Sequence, residues 1–232
     1  MFNFCFIHNY ENSTLMGEIL GYSIKKIYPN HKIITIIGKN QKKIPYSDIS
    51  EIYNFSKSSI MYDIIYCQLE IVKKYGPTLF LDADMLLLQN IDEFTEINKH
   101  DMSITIRSSS TLKVKLHEDH KKKFPALFNK TFGEVMPYNA GIYFCKEKNV
   151  LEFMLNSFEK MPKEYFSWYG DQIALNMLDK SNKFNIKIFE NNKYNFTPRS
   201  IDDDISDKKI LHFKGRKRSL LIPYFKKIFS IN

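Results

Sequence analysis

The chain predicts an α/β domain, a mainly parallel central sheet flanked by helices, and three stretches carry that expectation. At the start, Phe2 to Ile7 is a short apolar run. Residues about 13 to 28 then place Leu15, Ile19, Leu20, Ile24 and Ile27 at helical spacing, and Lys32 to Ile37 is apolar again. Further on, Thr78 to Leu81 is a four-residue apolar run that delivers Asp82 and Asp84 into a segment that turns apolar once more. Later, helical patterns around 147–160 and 170–180 alternate with strand-like Asn185 to Phe189 and Lys209 to Phe213. A strand–helix–strand unit implies a parallel pair with a right-handed crossover. Ligands of such sheets gather at the carboxyl ends of the strands. That rule puts His8, Asn9 and Tyr10 on the same rim as Asp82, Ala83 and Asp84.

Taken in order, Ser13 or Thr14 can cap the first helix, and Pro29-Asn30-His31 breaks it. A helix over 59–74 precedes the run carrying the two aspartates, and Ser103 to Ile106 reads as another strand. Residues 108–134 are the least legible. His117 and His120 there have an H-x-x-H spacing, but no second ligand pair with zinc-site spacing follows, so a solvated charged face is the expectation. Asp202-Asp203-Asp204 likewise reads as a solvated loop.

At 232 residues, 44% hydrophobic and 26% charged, the composition is that of one globular domain. The net charge of +8 comes without a recognisable nucleic-acid motif, so no nucleic-acid partner is expected. Basic residues then serve anionic diphosphates and a membrane surface. Cys5, Cys67 and Cys145 sit in apolar surroundings without a C-x-x-C, and read as buried reduced thiols. No apolar run reaches 18 residues, and the first strand is too short for a signal segment. A cytoplasmic protein is expected, and the sequons at Asn54 and Asn195 are set aside.

Buried carboxylates are costly unless neutralised or bound to a metal. Asp82 and Asp84 at a strand end therefore suggest a divalent cation held by oxygen ligands. A turn in which they cap the next element is the alternative.

Three further pieces stand in a suggestive order. They are Tyr138-Asn139-Ala140-Gly141-Ile142-Tyr143, then Gly170-Asp171-Gln172 running to Asn176, then Leu211-His212-Phe213-Lys214-Gly215-Arg216-Lys217-Arg218. Together with Tyr75 to Phe94 they resemble the motifs of GT-A glycosyltransferases, in particular the glycogenin and lipopolysaccharide galactosyltransferase group, family 8. That resemblance implies the GT-A (Rossmann-like) nucleotide-diphospho-sugar transferase fold. Its catalytic domain would cover residues 1–213, with a nucleotide-binding half over 1–100 and an acceptor and sugar half over 101–213. It implies a hexosyltransferase that moves a sugar from a nucleotide sugar, a UDP-sugar above all, to a hydroxyl of a glycan, lipid-linked or protein acceptor with retention.

By the same resemblance Asp82, Asp84 and His212 are metal ligands, and Mn²⁺, or Mg²⁺ in its place, suits two carboxylates and an imidazole. His8, Asn9, Tyr10, Ala83, Asn139, Ala140, Gly141, Lys214, Gly215 and Arg218 line the donor. Asp171 binds sugar hydroxyls and Gln172 lies near the anomeric carbon. Residue for residue, Asn139 offers an amide donor and acceptor, Gly141 lets the backbone approach a ring, and Asp171 is equally readable as a helix cap. Trp168 and Tyr169 either stack on an acceptor sugar or belong to the core.

Two departures stand out. The family loop ends in Lys-Pro-Trp, whereas Arg218 precedes Ser219-Leu220. The family also carries a base in the helix before the D-x-D strand, where this chain has none, leaving Lys57 from the preceding loop as substitute.

Residues 214–232 hold six basic and no acidic side chains among Leu220, Leu221, Tyr224, Phe225, Ile228 and Phe229, with Pro223 dividing the segment. This basic amphipathic tail either lies on an anionic membrane as a peripheral contact or packs on the domain. The oligomeric state stays open, a homodimer included. A haloacid-dehalogenase-type phosphatase shares a D-x-D strand, but some 80 residues precede it here and Gly170-Asp171 lacks that family's second Asp. A catalytically silent nucleotide-sugar-binding protein is the third reading. A sugar nucleotidyltransferase would need a Gly-rich segment after Ile7.

Overall fold

The computed structural model describes residues 1–8, 14–39, 41–96, 98–116, 125–127 and 129–230. The chain begins with β1 (Asn3–His8), α1 (Thr14–Ile27), β2 (Ile33–Gly38), β3 (Ile49–Tyr53) and α2 (Ile60–Tyr75). Then come β4 (Thr78–Leu81), β5 (Met85–Leu87), β6 (Met102–Ile106) and two four-residue helices, α3 (Ser109–Leu112) and α4 (Phe132–Val135). It continues through β7 (Tyr138–Cys145), α5 (Lys148–Phe158), α6 (Gly170–Lys180), β8 (Ile186–Glu190), α7 (Asn191–Tyr194), β9 (Ile210–His212) and α8 (Leu221–Phe229).

Seven strands form one sheet in the order β3-β2-β1-β4-β7-β6-β8. β3, β2, β1 and β4 pair in parallel, β6 and β8 do the same, and β7 runs antiparallel between β4 and β6. The expected strands and helices all form within a residue or two. β3 was not foreseen; it is an edge strand of half-buried residues in which Ile52 is exposed. Nor was the reversal of β7 foreseen.

That reversal matters for function. β6 ends and β7 begins at the same carboxyl-end rim, so β7 starts where β4 ends. The Asp82 amide accordingly donates to the Gly141 carbonyl at 2.8 Å. A second, two-stranded sheet pairs β5 with β9, with Met85 opposite His212 and Leu87 opposite Ile210. This register carries His212 to the aspartate turn, where the Phe213 amide donates to the Asp84 carbonyl at 2.9 Å.

The strands are near-continuous apolar runs because both faces of the sheet are covered. One face packs against α2, α5 and α6 through Ile65, Leu69, Val72, Leu151, Met154 and Leu175. The other buries Phe4, Phe6, Leu20, Ile24 and Phe94. Cys5, Cys67 and Cys145 are buried free thiols. The tail does pack on the domain. A 3₁₀ turn over Gly215–Leu220 runs into α8, whose Leu221 and fully buried Tyr224 join Ile19, Leu86, Leu211 and Phe213. Pro223 sits in the first turn of α8, where its missing N–H has no helical partner to lose. Ser13, one of the two expected caps of α1, lies outside the described residues, as do Asn9, Tyr10, His117 and His120. No helix among the described residues is long and apolar enough to cross a membrane.

Candidate active site

At the rim lies a cavity of about 870 Å³, within the size range of small-ligand sites. Asp82, Ala83, Asp84, Asn139, Ala140, Gly141, Asp171, Gln172, His212, Lys214, Gly215, Arg218, Trp168 and Tyr169 all line it. The four motifs, spread over 137 positions of sequence, thus meet in one space.

Asp82, Asp84 and His212 offer ligand atoms within 4.8 Å of one another. His212 Nε2 is 3.0 Å from Asp84 Oδ1 and 3.3 Å from Asp82 Oδ2. The other ring nitrogen, Nδ1, is 2.7 Å from Asn195 Oδ1, and Asn195 Nδ2 donates to Thr105 Oγ1 at 3.2 Å. Asn195 is fully buried, so its amide is oriented with the oxygen toward His212. That oxygen only accepts, which assigns a proton to Nδ1 and directs the Nε2 lone pair at the two carboxylates. Three electron-pair donors converging on one point fit a divalent cation with mixed oxygen and nitrogen ligands.

The two carboxylates differ in their electrostatic surroundings. Although the Asp82 side chain is 55% exposed, desolvation by its packed surroundings raises its pKa, with His212 opposing the rise and the neighbouring Asp84 adding to it. Asp84 is 5% exposed. Burial pushes its carboxyl up as well, but the contacts with His212 and Arg218 outweigh it and hold it below the ordinary range. Arg218 Nε donates to Asp84 Oδ2 at 2.7 Å. Lys214 is pushed down to about 8 by burial, against the pull of Asp82.

Gly141 has a reason beyond backbone access to a ligand. A Cβ there would lie 2.5 Å from His212 Cε1 and 2.9 Å from Asp82 Oδ2. The residue is glycine because the imidazole and carboxylate pack on its Cα. Asn139 is 7% exposed; its Oδ1 accepts from the Gly141 amide at 3.1 Å and its Nδ2 donates to Asn191 Oδ1 at 3.3 Å. Its carboxamide therefore holds the start of β7 in shape.

The α6 start is equally constrained. Tyr169 adopts φ +65°, a left-handed conformation uncommon for a non-glycine residue, and the following Gly170 packs where a Cβ would meet Phe158 and the Tyr165 carbonyl at 2.4 Å. This turn brings Asp171 to the cavity as the second residue of α6, not as its cap. Asp171 Oδ1 is buried without a hydrogen-bond partner, and burial raises the carboxyl to about 6. A buried, unsatisfied acceptor in a cavity marks a place for a ligand hydroxyl.

Lys57 and His8 do not line this cavity. Lys57 is exposed on the loop before α2, and α2 presents Met61, Ile64 and Gln68 to the cavity instead. His8 is buried at the end of β1 with Nε2 3.3 Å from Thr14 Oγ1. Trp168 is 49% exposed and Tyr169 9%, both on the wall.

Two residues went unforeseen. Asn195 was visible only as a sequon, which its burial rules out as a glycosylation site. Arg107 directly follows β6, and the rule that ligands sit beyond strand ends pointed to it. Its Nη2 donates to Gln172 Oε1, its Nε donates to the Met136 carbonyl at 2.9 Å, and its guanidinium lies 4.9 Å from the centre of the Phe132 ring.

No protein-family profile matches this sequence, and no curated protein matches it in sequence. Solved structures do match in shape. The galactosyltransferase LgtC, in complex with donor and acceptor sugar analogues, superposes with a TM-score of 0.59 at 12% identity, over 99% of this chain and 97% of that one. An active-site mutant of LgtC gives 0.61 at 14%, over 98% and 95%. The glycosyltransferase GlyE of Streptococcus pneumoniae TIGR4 gives 0.60 at 16%, over 98% of this chain and 62% of that one. The chain has the GT-A glycosyltransferase fold.

Proposed function

We propose that this chain is a metal-dependent glycosyltransferase that moves a sugar from a nucleotide sugar, a UDP-sugar first among candidates, to a hydroxyl acceptor. The observation that carries the reading is the convergence of Asp82, Asp84 and His212 beside Lys214 and Arg218, in a cavity that Asp171 and Gln172 also line. The acidic and imidazole cluster with its basic neighbours suits a diphosphate and its cation, and Asp171 and Gln172 suit sugar hydroxyls. The nucleotide-sugar chemistry of the GT-A structures it resembles supports the same division.

Asp82, Asp84 and His212 would hold the cation, with Mn²⁺ favoured by their donor set and Mg²⁺ as the alternative. When bound, it supplies electrophilic stabilisation of negative charge on the departing diphosphate. Arg218 directs Nε at Asp84, and among the described residues its Nη atoms donate to no protein group, which leaves them for a phosphate oxygen. Lys214 adds fixed positive charge, worth more in a cavity that excludes water. Asp171 accepts from a sugar hydroxyl and so orients the ring. Among the described residues lining the cavity, no carboxylate besides Asp171 and the two metal ligands is placed to act as a base. The resemblance to the family 8 glycosyltransferases, which retain the anomeric configuration, supports a retaining transfer at the front face, in which the leaving phosphate takes the acceptor proton. Trp168, exposed at the cavity wall, stacks on the acceptor, whether glycan, lipid-linked sugar or protein hydroxyl.

The tail supports a second contact. Lys226, Lys227 and Ile222 stay exposed after α8 has packed, a surface suited to peripheral association with anionic lipid. Co-sedimentation with anionic vesicles, undiminished by Lys226→Glu together with Lys227→Glu, removes that contact.

The reading is tested by incubating the protein with UDP- and GDP-sugars, with and without Mn²⁺, and following donor breakdown by proton NMR. Metal-dependent consumption of one donor, lost in Asp84→Ala, supports it, and an inverted product anomer sinks the retaining assignment. Binding of a donor without turnover favours a silent binding protein. Turnover of phosphate esters alone favours the phosphatase, although the GT-A fold removes that reading's structural basis.

A further inference from the structure

We infer that Arg107 is a positioning residue that fixes Gln172 with its amide nitrogen, rather than its carbonyl oxygen, available to the substrate. The inference rests on the glycosyltransferase reading above. It starts from an asymmetry of hydrogen bonding. A glutamine carboxamide is nearly symmetric in shape, and a half-turn about its last torsion exchanges acceptor for donors. A guanidinium only donates. Contact between Arg107 Nη2 and Gln172 therefore settles the matter: the oxygen faces Arg107. Among the described residues no protein acceptor takes the Nε2 hydrogens of Gln172, and the residue lines the cavity.

Arg107 is itself held from three sides, which makes it a reference point for Gln172. Its Nε is tied to the Met136 carbonyl at 2.9 Å, Phe132 covers one face of its guanidinium plane at 4.9 Å, and its stem leaves the end of β6. Phe132 opens α4, which is pinned by a reciprocal cap in which Thr131 and Glu134 each bond the other's backbone amide. The anchorage thus draws on the segment between β6 and β7, as well as on the sheet. Among the described residues Arg107 has no carboxylate within ion-pairing distance, so its Nη2 contact is to Gln172 and not shared with an acid.

The chemical consequence is specific. With Oε1 facing Arg107, Gln172 serves a bound donor as a hydrogen-bond donor to an oxygen of the sugar or the diphosphate. It does not present a carbonyl lone pair to the anomeric carbon. Arg107 lines the same cavity and its charge is felt at Asp171, but its hydrogen bond into the site is to Gln172.

A double-mutant cycle of Arg107→Met and Gln172→Ala, with Arg107→Lys as the conservative variant, tests this. The probes are UDP-glucose, UDP-galactose and UDP-N-acetylglucosamine with Mn²⁺, read by UDP release, with thermal unfolding recorded for each variant. Misplacing a substrate-positioning group costs on the order of 100-fold. Arg107→Met is expected to lower kcat about that much while KM changes less than threefold. Gln172→Ala is expected to do the same, and the double variant to be no worse than either. Arg107→Lys, which keeps one donor but not the fork, is expected to recover part of kcat. A kcat for Arg107→Met within twofold of the parent, or losses that multiply in the double variant, overturns the role of Arg107 alone. If Arg107→Met does not fold, the cycle is run with Arg107→Lys and the same criterion of non-additivity. A parent protein that turns over none of these donors, and no other nucleotide sugar, overturns the glycosyltransferase reading instead.

Discussion

Asn195 Oδ1 and His212 Nδ1 lie 2.7 Å apart in a fully buried contact that decides which face of the imidazole meets Asp82 and Asp84. Replacing Asn195 by Leu keeps the volume but removes the acceptor, so the ring loses its preferred tautomer and orientation. Outer partners of this kind are worth 10- to 100-fold in metal affinity. Mn²⁺ titration followed by electron paramagnetic resonance is expected to show a loss of that size for Asn195→Leu, and an unchanged affinity would separate Asn195 from the metal site.

Gly141→Ala tests the packing of the same cluster from the opposite side. The added Cβ would lie 2.5 Å from His212 Cε1, and both the ring and the Asp82 carboxylate must move to admit it. Overpacking of this sort costs about 1–3 kcal/mol. Urea unfolding is expected to show that loss, together with at least tenfold weaker Mn²⁺ binding. A variant that binds Mn²⁺ normally would contradict the close approach.

Asp171 sets function against stability, and the sign follows from its raised pKa of about 6. An acid that is harder to ionise when folded weakens the fold as it ionises. Its penalty is absent below the unfolded value near 4 and complete above about 6. Roughly two units correspond to about 3 kcal/mol. Asp171→Asn is therefore expected to be more stable than the parent at pH 7.5, by a few kcal/mol in urea unfolding, and close to it at pH 4. It is also expected to lose transfer activity. Equal stability of the two proteins at both pH values would show that Asp171 is not held at a desolvated position.

Tyr224 links the tail to the site. Its ring is fully buried, 5.7 Å from that of Phe213, and its hydroxyl donates to the Ser200 carbonyl at 2.6 Å. Large aromatic truncations in a core cost about 3–5 kcal/mol. Because Leu86 and Leu211 share that cluster with it, Tyr224→Ala is expected to loosen the β5–β9 pair that carries His212. Thermal unfolding and Mn²⁺ titration of this variant should fall together.

The elements were legible where side chains repeat with the period of the backbone. Phe2 to Ile7, the α1 stripe and Thr78 to Leu81 announce themselves because burial on both faces demands unbroken apolar residues. Strand direction has no such signature. The residues of β7 read the same either way, and its reversal depends on where the preceding segment ends. Asp82, Asp84, Gly141, Asp171 and His212 were found through short patterns in a fixed order, and the structure brings them into one cavity. Lys57 was sought as a stand-in for the base that the resembled family carries before the D-x-D strand, and a neighbouring charge does not fix location. Asn195 escaped because a residue that acts by orienting another carries its meaning only in space; Arg107 stood where the strand-end rule marks a site, but its partner Gln172 lies 65 positions away. Thr105, Asn195 and His212 are 90 and 17 positions apart along the chain, and no spacing rule connects them.

The central claim is that Asp82, Asp84 and His212 hold a divalent cation that in turn holds a nucleoside diphosphate. Titration calorimetry of UDP into the protein, with and without Mn²⁺, tests it most directly, with Asp84→Asn as the matched variant. The account predicts that UDP binds at least tenfold more tightly with Mn²⁺ and that Asp84→Asn abolishes the difference. UDP affinity that is the same with and without the metal, or metal-dependent binding that survives Asp84→Asn, would contradict it.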